Sequence, residues 1–182
     1  MSKVADRYAR LADAFAATIA AVPEGRWSAT SPCEGWTARD VVQHVCDTQA
    51  LFLGFVHEAP GDGPAVAGDP LGAWQAAAAP VRAVLADPAR ATTTFDGVFG
   101  PTTFESAIDR FANFDLVVHR WDLARATGGD ESIPEADAQR VLDGVGAFGP
   151  ALYGPGVCAD PVDVGPDADL TTRMLAVVGR RA

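Results

Sequence analysis

Three histidines occur among the 182 residues, and two of them stand where side chains could do chemistry. His119 follows Asp115 by four residues within a helical pattern, which puts both side chains on one face about a turn apart. Phe111 and Asp122 extend that face at steps of four and three. His44 lies in another apolar run, among Val41, Val45, Thr48 and Phe52, so its ring points to the protein interior. A carboxylate one turn below an imidazole in an apolar stripe admits two explanations. Asp115 and His119 could form a buried ion pair or hydrogen bond, with His44 an unrelated core residue. Alternatively His44, Asp115 and His119 converge from facing helices on one divalent ion, as metal sites in bundles do. Three protein ligands leave a coordination position open for water or substrate, the catalytic form of a zinc site. The same donors also suit Fe(II), Ni(II) or Mn(II).

Several helices must position these residues. Val4, Tyr8, Leu11, Phe15, Ile19 and Val22 recur at steps of three and four, the mark of an amphipathic helix that ends at Pro23-Glu24-Gly25. A polar loop with Trp27, Pro32, Cys33, Gly35 and Trp36 follows. Thr37, three residues before Asp40, opens a second helix from about Ala38 to about His57 with a capping box. Ala59 to Pro70 reads as a loop, and Leu71, Trp74, Ala78, Val81 and Leu85 give a third helix. Thr92 to Phe99 reads as a short hairpin or an extended connection. Thr102 and Glu105 suggest a capping box for a fourth helix through Phe104, Ile108, Phe111, Val118 and Trp121 to Gly128-Gly129. A shorter fifth helix starts near Ser132, Pro134 and Glu135, and Leu170 to Val178 is a last helical or extended piece. This order predicts an all-α, single-domain four-helix bundle over residues 1–182 with additional short terminal elements. The pattern leaves the bundle topology open.

Two segments resemble a known family. Ser31-Pro32-Cys33-Glu34-Gly35-Trp36-Thr37-Ala38-Arg39-Asp40-Val41-Val42-Gln43-His44 is similar to the loop and helix of the mycothiol-dependent maleylpyruvate isomerase-like proteins, within the DinB-like superfamily. Asp115-Leu116-Val117-Val118-His119-Arg120-Trp121-Asp122-Leu123-Ala124-Arg125-Ala126-Thr127-Gly128 looks like that family's second motif. The resemblance implies a DinB-like four-helix bundle whose metal is held by His44, Asp115 and His119. It also implies a pocket that binds and activates a low-molecular-weight thiol such as mycothiol. Two departures matter. The family isomerase has Glu where this chain has the shorter Asp115, and it carries a further C-terminal domain for which this sequence leaves no room, so isomerase activity is not simply carried over.

Other residues have quieter readings. Cys33 could be a ligand or reactive thiol near a helix N-terminus, but reads first as a small packing residue. Cys46 points to a different face from His44. Trp36 and Trp121 read as core aromatics that could also screen a metal. Asp122 is either a partner that orients a metal-bound imidazole or a solvated acid paired with Arg125. His57, beside Glu58 at a helix end, reads as exposed.

Composition narrows the class. A net charge of −10, from 24 acidic and 14 basic residues, repels phosphate backbones and anionic membranes, which argues against nucleic acid as a partner. No run has the length of a bilayer span, and Met1 to Arg10 does not read as a signal peptide. Cys33, Cys46 and Cys158 are odd in number and lack ligand spacing, which fits a reducing cytoplasm. The reading is thus a cytoplasmic divalent-metal protein, with zinc the first choice and nickel, iron or manganese alternatives. Its partners are a small-molecule substrate and a thiol, with mycothiol as co-substrate, and a homodimer is compatible with it. The expected chemistry is a thiol-dependent transferase or isomerase-like reaction. The rivals are a metal-dependent hydrolase and a non-catalytic bundle that binds a ligand or partner.

Overall fold

The computed structural model describes residues 2–146, 148–153 and 157–182. The chain divides into two compact units, Met1–Glu131 and Ser132–Ala182.

The first unit holds the bundle. Helix α1 spans Lys3–Ala20 and buries Tyr8, Leu11, Phe15 and Ile19, the stripe that the spacing predicts. Helix α2 spans Ala38–Phe55 and starts at the expected capping box, in which Thr37 accepts from the Asp40 N–H while Asp40 accepts from the Thr37 N–H. At its end, the N–H groups of His57 and Glu58 bond back to the carbonyls of Gly54 and Leu53, with His57 at φ 59°. That is the Schellman arrangement, with histidine in the place usually held by glycine. Helix α3 spans Pro70–Ala86 behind an Asp69 cap, and the short α4 spans Pro88–Ala91.

The Thr-rich stretch forms an antiparallel hairpin of β1, Thr94–Gly97, and β2, Gly100–Thr103. The cap expected at Thr102 lies one residue later. Thr103, the last residue of β2, accepts from the Ser106 N–H. The fourth helix is also not uniform. It consists of α5, Phe104–Ala107, a π turn at Ile108–Ala112, and α6, Asn113–Thr127. Within the π turn three consecutive side chains meet three different neighbours. Asp109 pairs with Arg7 of α1, the Arg110 guanidinium lies over Phe99 of the hairpin turn, and Phe111 stacks on Phe52 of α2.

Around the bundle the neighbour order is α1, α3, α2, α6, so the first two helices face each other diagonally. Tyr8 donates to Gln49 across that diagonal at 2.7 Å. Helices α2 and α6 run antiparallel, because His44 faces Asp115 while Phe52 faces Phe111. Helices α1 and α3 are antiparallel too: Trp74 packs on Phe15 and Arg82 reaches the Ala9 carbonyl. Arg39, at the start of α2, donates to the carbonyls of Val66 and Ala67 just before α3, so α2 and α3 run parallel. The topology is therefore up-down-down-up.

The second unit contains α7, Glu135–Val145, and α8, Leu170–Val177, which pack together, with a 3-10 turn at Gly149–Leu152 between them in sequence. Pro134 occupies the N-cap of α7 and gives no side-chain cap. Phe148 lies beyond the helix end.

Candidate metal centre

Two helices and one loop build the site. Helix α2 contributes His44, and α6 contributes Asp115, His119 and Asp122. The antiparallel packing brings His44 opposite the start of α6. His44, Asp115 and His119 each offer a donor atom within 4.8 Å of the other two. His44 Nε2 stands 3.5 Å from Asp115 Oδ2, and the two imidazole centroids are 4.8 Å apart with planes at 74°. Two ligands about 2.1 Å from one ion at a tetrahedral angle stand roughly 3.4 Å apart, so the His44 and Asp115 spacing fits a shared ion. The shorter arm of Asp115 thus reaches the histidine across the interface.

The pairing differs from a simple ion pair between Asp115 and His119. Asp115 faces His44, while His119 Nδ1 lies 2.9 Å from Asp122 Oδ2. Asp122 is fully buried, so it is the orienting partner rather than a solvated acid. With Nδ1 engaged, Nε2 is the nitrogen that His119 has available for a ligand. The site is closed on one side and open on the other. The His119 side chain is 10% exposed, whereas those of His44 and Asp115 are 32% and 24% exposed.

The loop before α2 forms the roof. An antiparallel bridge joins Thr30 to Thr37, the Ser31 N–H donates to the Trp36 carbonyl, and the Trp36 N–H donates to the Cys33 carbonyl. Gly35 takes φ 76° inside this turn, a conformation that glycine adopts without steric cost. The turn sets the Trp36 ring 4.8 Å from the His44 ring and 6.0 Å from the His119 ring. Trp36 is therefore a wall of the site, whereas Trp121 is a core aromatic, 2% exposed, under Arg125. Farther along α2 and α6, Phe52, Phe111 and Phe99 form a near-parallel column with centroids 6.1 and 6.0 Å apart.

The spacing argument misses Cys33, whose Sγ lies 3.3 Å from Asp122 Oδ2. No periodicity relates a loop residue to a helix 89 positions away; only the fold makes them neighbours. Cys46 is buried on another face of α2, and burial pushes its thiol up to about 12. It borders a separate cavity of about 320 Å³, lined also by Gln43, Asp47, Leu53 and Val66, which includes none of the candidate ligands. His57 is exposed, as expected.

Residues 8–124 match the family model described as the mycothiol maleylpyruvate isomerase N-terminal domain. The chain belongs to this family. Through it the bundle joins the DinB-like superfamily, in agreement with the largely helical architecture. Two similar proteins are uncharacterized proteins of Mycobacterium tuberculosis, from strains CDC 1551 and H37Rv. Each is 32% identical over 148 residues, covering 81% of this chain and 80% of the relative. No solved structure matches the chain at a significant level. Among the described residues no helix is long and apolar enough to cross a membrane.

Proposed function

We propose that this mycothiol maleylpyruvate isomerase-like protein is a cytoplasmic divalent-metal protein that uses mycothiol in a transferase or isomerase-like reaction on a small-molecule substrate. The observation that carries the reading is the meeting of His44, Asp115 and His119 at one point between α2 and α6. Those three residues would hold the ion, with zinc first and nickel, iron or manganese served by the same donors. When bound, such an ion supplies positive charge that favours the deprotonated, nucleophilic form of a thiol.

The chain's own groups supply the rest. Asp122 fixes the ring orientation of His119, and Trp36 covers both imidazoles on the loop side. The partial exposure of His44 and Asp115 leaves an approach for a thiol and a second substrate. Hydrolysis finds less support. Asp122, the carboxylate beside His119 that could serve a bound water as base, is fully buried and engaged with His119. In the non-catalytic reading, the same two His and Asp pairs merely join α2 to α6 and stiffen α6.

Two measurements test the proposal. Metal analysis of the purified protein should give one divalent ion per chain; a metal-free protein that also fails to take up added zinc overturns the metal centre. Calorimetry of the metal-loaded protein should show binding of mycothiol but not of its sulfur-free analogue. Equal binding of the two, or none, removes the thiol from the function.

A further inference from the structure

We propose that Leu51 and Phe55 of α2, continued by Phe99 of the hairpin turn, form a subsite that holds a flat apolar group of the substrate beside the metal centre. For the reacting end of that substrate, this rests on the metal-centre reading above.

The apolar strip starts at a candidate ligand. His44, Thr48, Leu51 and Phe55 follow one another at steps of four, three and four, so they share one side of α2. Val45 and Phe52, turned by roughly 80–100° from that line, are buried. Along the line exposure persists, with Leu51 at 57% and Phe55 at 38%. Across the seam between α2 and α6, Phe52 stacks on Phe111 one turn from the level at which His44 faces Asp115. Ring contacts then run without a break from Phe95 of β1 through Phe55, Phe52 and Phe111 to Phe99.

Packing accounts for part of this cluster. Phe52 is 7% exposed in the seam, and Phe95, stacked on Phe55 at 5.0 Å, docks the hairpin on α2. Packing does not require Leu51 to be apolar, since a polar side chain at so exposed a position would serve the fold as well. Val98 and Phe99 are exposed too, at 90% and 45%. An exposed apolar patch beside a few placed polar groups is the makeup of a small-molecule site.

The dimensions fit a small molecule better than a second copy of the chain. Four part-exposed side chains offer roughly 400 Å², about half of what each partner buries in a stable dimer. At the helical rise, Leu51 stands roughly 10 Å and Phe55 roughly 16 Å along α2 from His44. The group so placed is a ring, or a fused pair of rings, joined to the reacting atom by a short chain.

The test uses the full chain loaded with Co(II) and two alkyl thiols of like acidity, phenylbutanethiol and butanethiol. Titration of the thiolate-to-cobalt absorption band should show the ring-bearing thiol binding wild type roughly tenfold more tightly, the scale of one aromatic contact. In Leu51→Asp and in Phe55→Ala that preference should shrink to about twofold, with butanethiol affinity unchanged, whereas Leu51→Phe should keep it. Equal affinities in wild type, or a preference that survives both Leu51→Asp and Phe55→Ala, overturn the proposal. Phenylbutanol, which lacks the sulfur, is titrated in parallel against metal-free protein. It should shift the ring signals of Phe55 in proton NMR, and the absence of any shift overturns the subsite. If wild type takes up no Co(II), or shows no thiolate band, the metal-centre or the thiol reading fails, and the phenylbutanol titration still decides the subsite. A dimer in sedimentation that Leu51→Asp splits makes the strip an interface between copies and likewise overturns the proposal.

Discussion

Asp122 and His119 sit three residues apart on α6 with Oδ2 and Nδ1 2.9 Å from each other, and the carboxylate has no exposure to solvent. A buried carboxylate that accepts an imidazole N–H raises the basicity of the opposite nitrogen. Replacing Asp122 with Asn keeps the shape and removes the charge. Zinc affinity, read by competition with a chromophoric chelator, is expected to fall by roughly 10- to 100-fold, with the helical circular dichroism unchanged.

His44→Ala and His119→Ala should each abolish stoichiometric metal while leaving most helicity. Each removes one of three donors, whereas the apolar contacts of α2 and α6 remain. Elemental analysis beside circular dichroism checks this. Retention of a full equivalent of metal by His44→Ala would show that α2 takes no part in the centre.

The cap of α2 makes stability depend on pH. Hydrogen bonds from the Thr37 side chain and then its backbone lower the Asp40 pKa below the ordinary carboxylate value of 3.8. A lowered folded-state pKa stabilises the fold above the unfolded value, and this contribution is lost as pH falls through the folded one. Thermal melts of wild type and Asp40→Asn should therefore differ at pH 6 and converge as the pH falls through the lowered folded-state pKa of Asp40. At neutral pH, Thr37→Ala should cost about 0.5–2 kcal/mol, as loss of an N-cap does.

The cysteines should separate by reactivity. Cys46 is buried with its thiol pushed up to about 12, so at pH 8 it should resist alkylation until the protein unfolds. Mass spectrometry after a timed iodoacetamide pulse, with and without denaturant, measures this. Rapid native modification of Cys46 would contradict its buried position.

Much of this architecture is legible in the residues. Steps of three and four from Tyr8 to Ile19 mark the face that α1 buries, Thr37 and Asp40 mark the start of α2, and Asp115 with His119 marks the donor face. What local spacing does not carry is whatever depends on distant contacts. The parallel course of α2 and α3 is tied down by Arg39 reaching the end of the intervening loop. Cys33 reads as packing until the fold sets it beside Asp122. The cap expected at Thr102 stands at Thr103, because the hairpin runs on through Thr103 to its pairing with Thr94, and where strand pairing ends is not expressed in a capping pattern.

The π turn at Ile108–Ala112 has a consequence for how the centre tolerates change. An α-helix advances 3.6 residues per turn, so one additional residue rotates everything beyond it by roughly 100° about the axis. Asp115 and His119 owe their approach to His44 to that phase offset, relative to Phe104 at the start of α5. Excising a single residue from the turn, even one remote from the donors, would swing the donor face off its partner while every ligand remained in the sequence. Among relatives, the length of this segment would then discriminate a working centre from a lost one where a comparison of ligand identities could not.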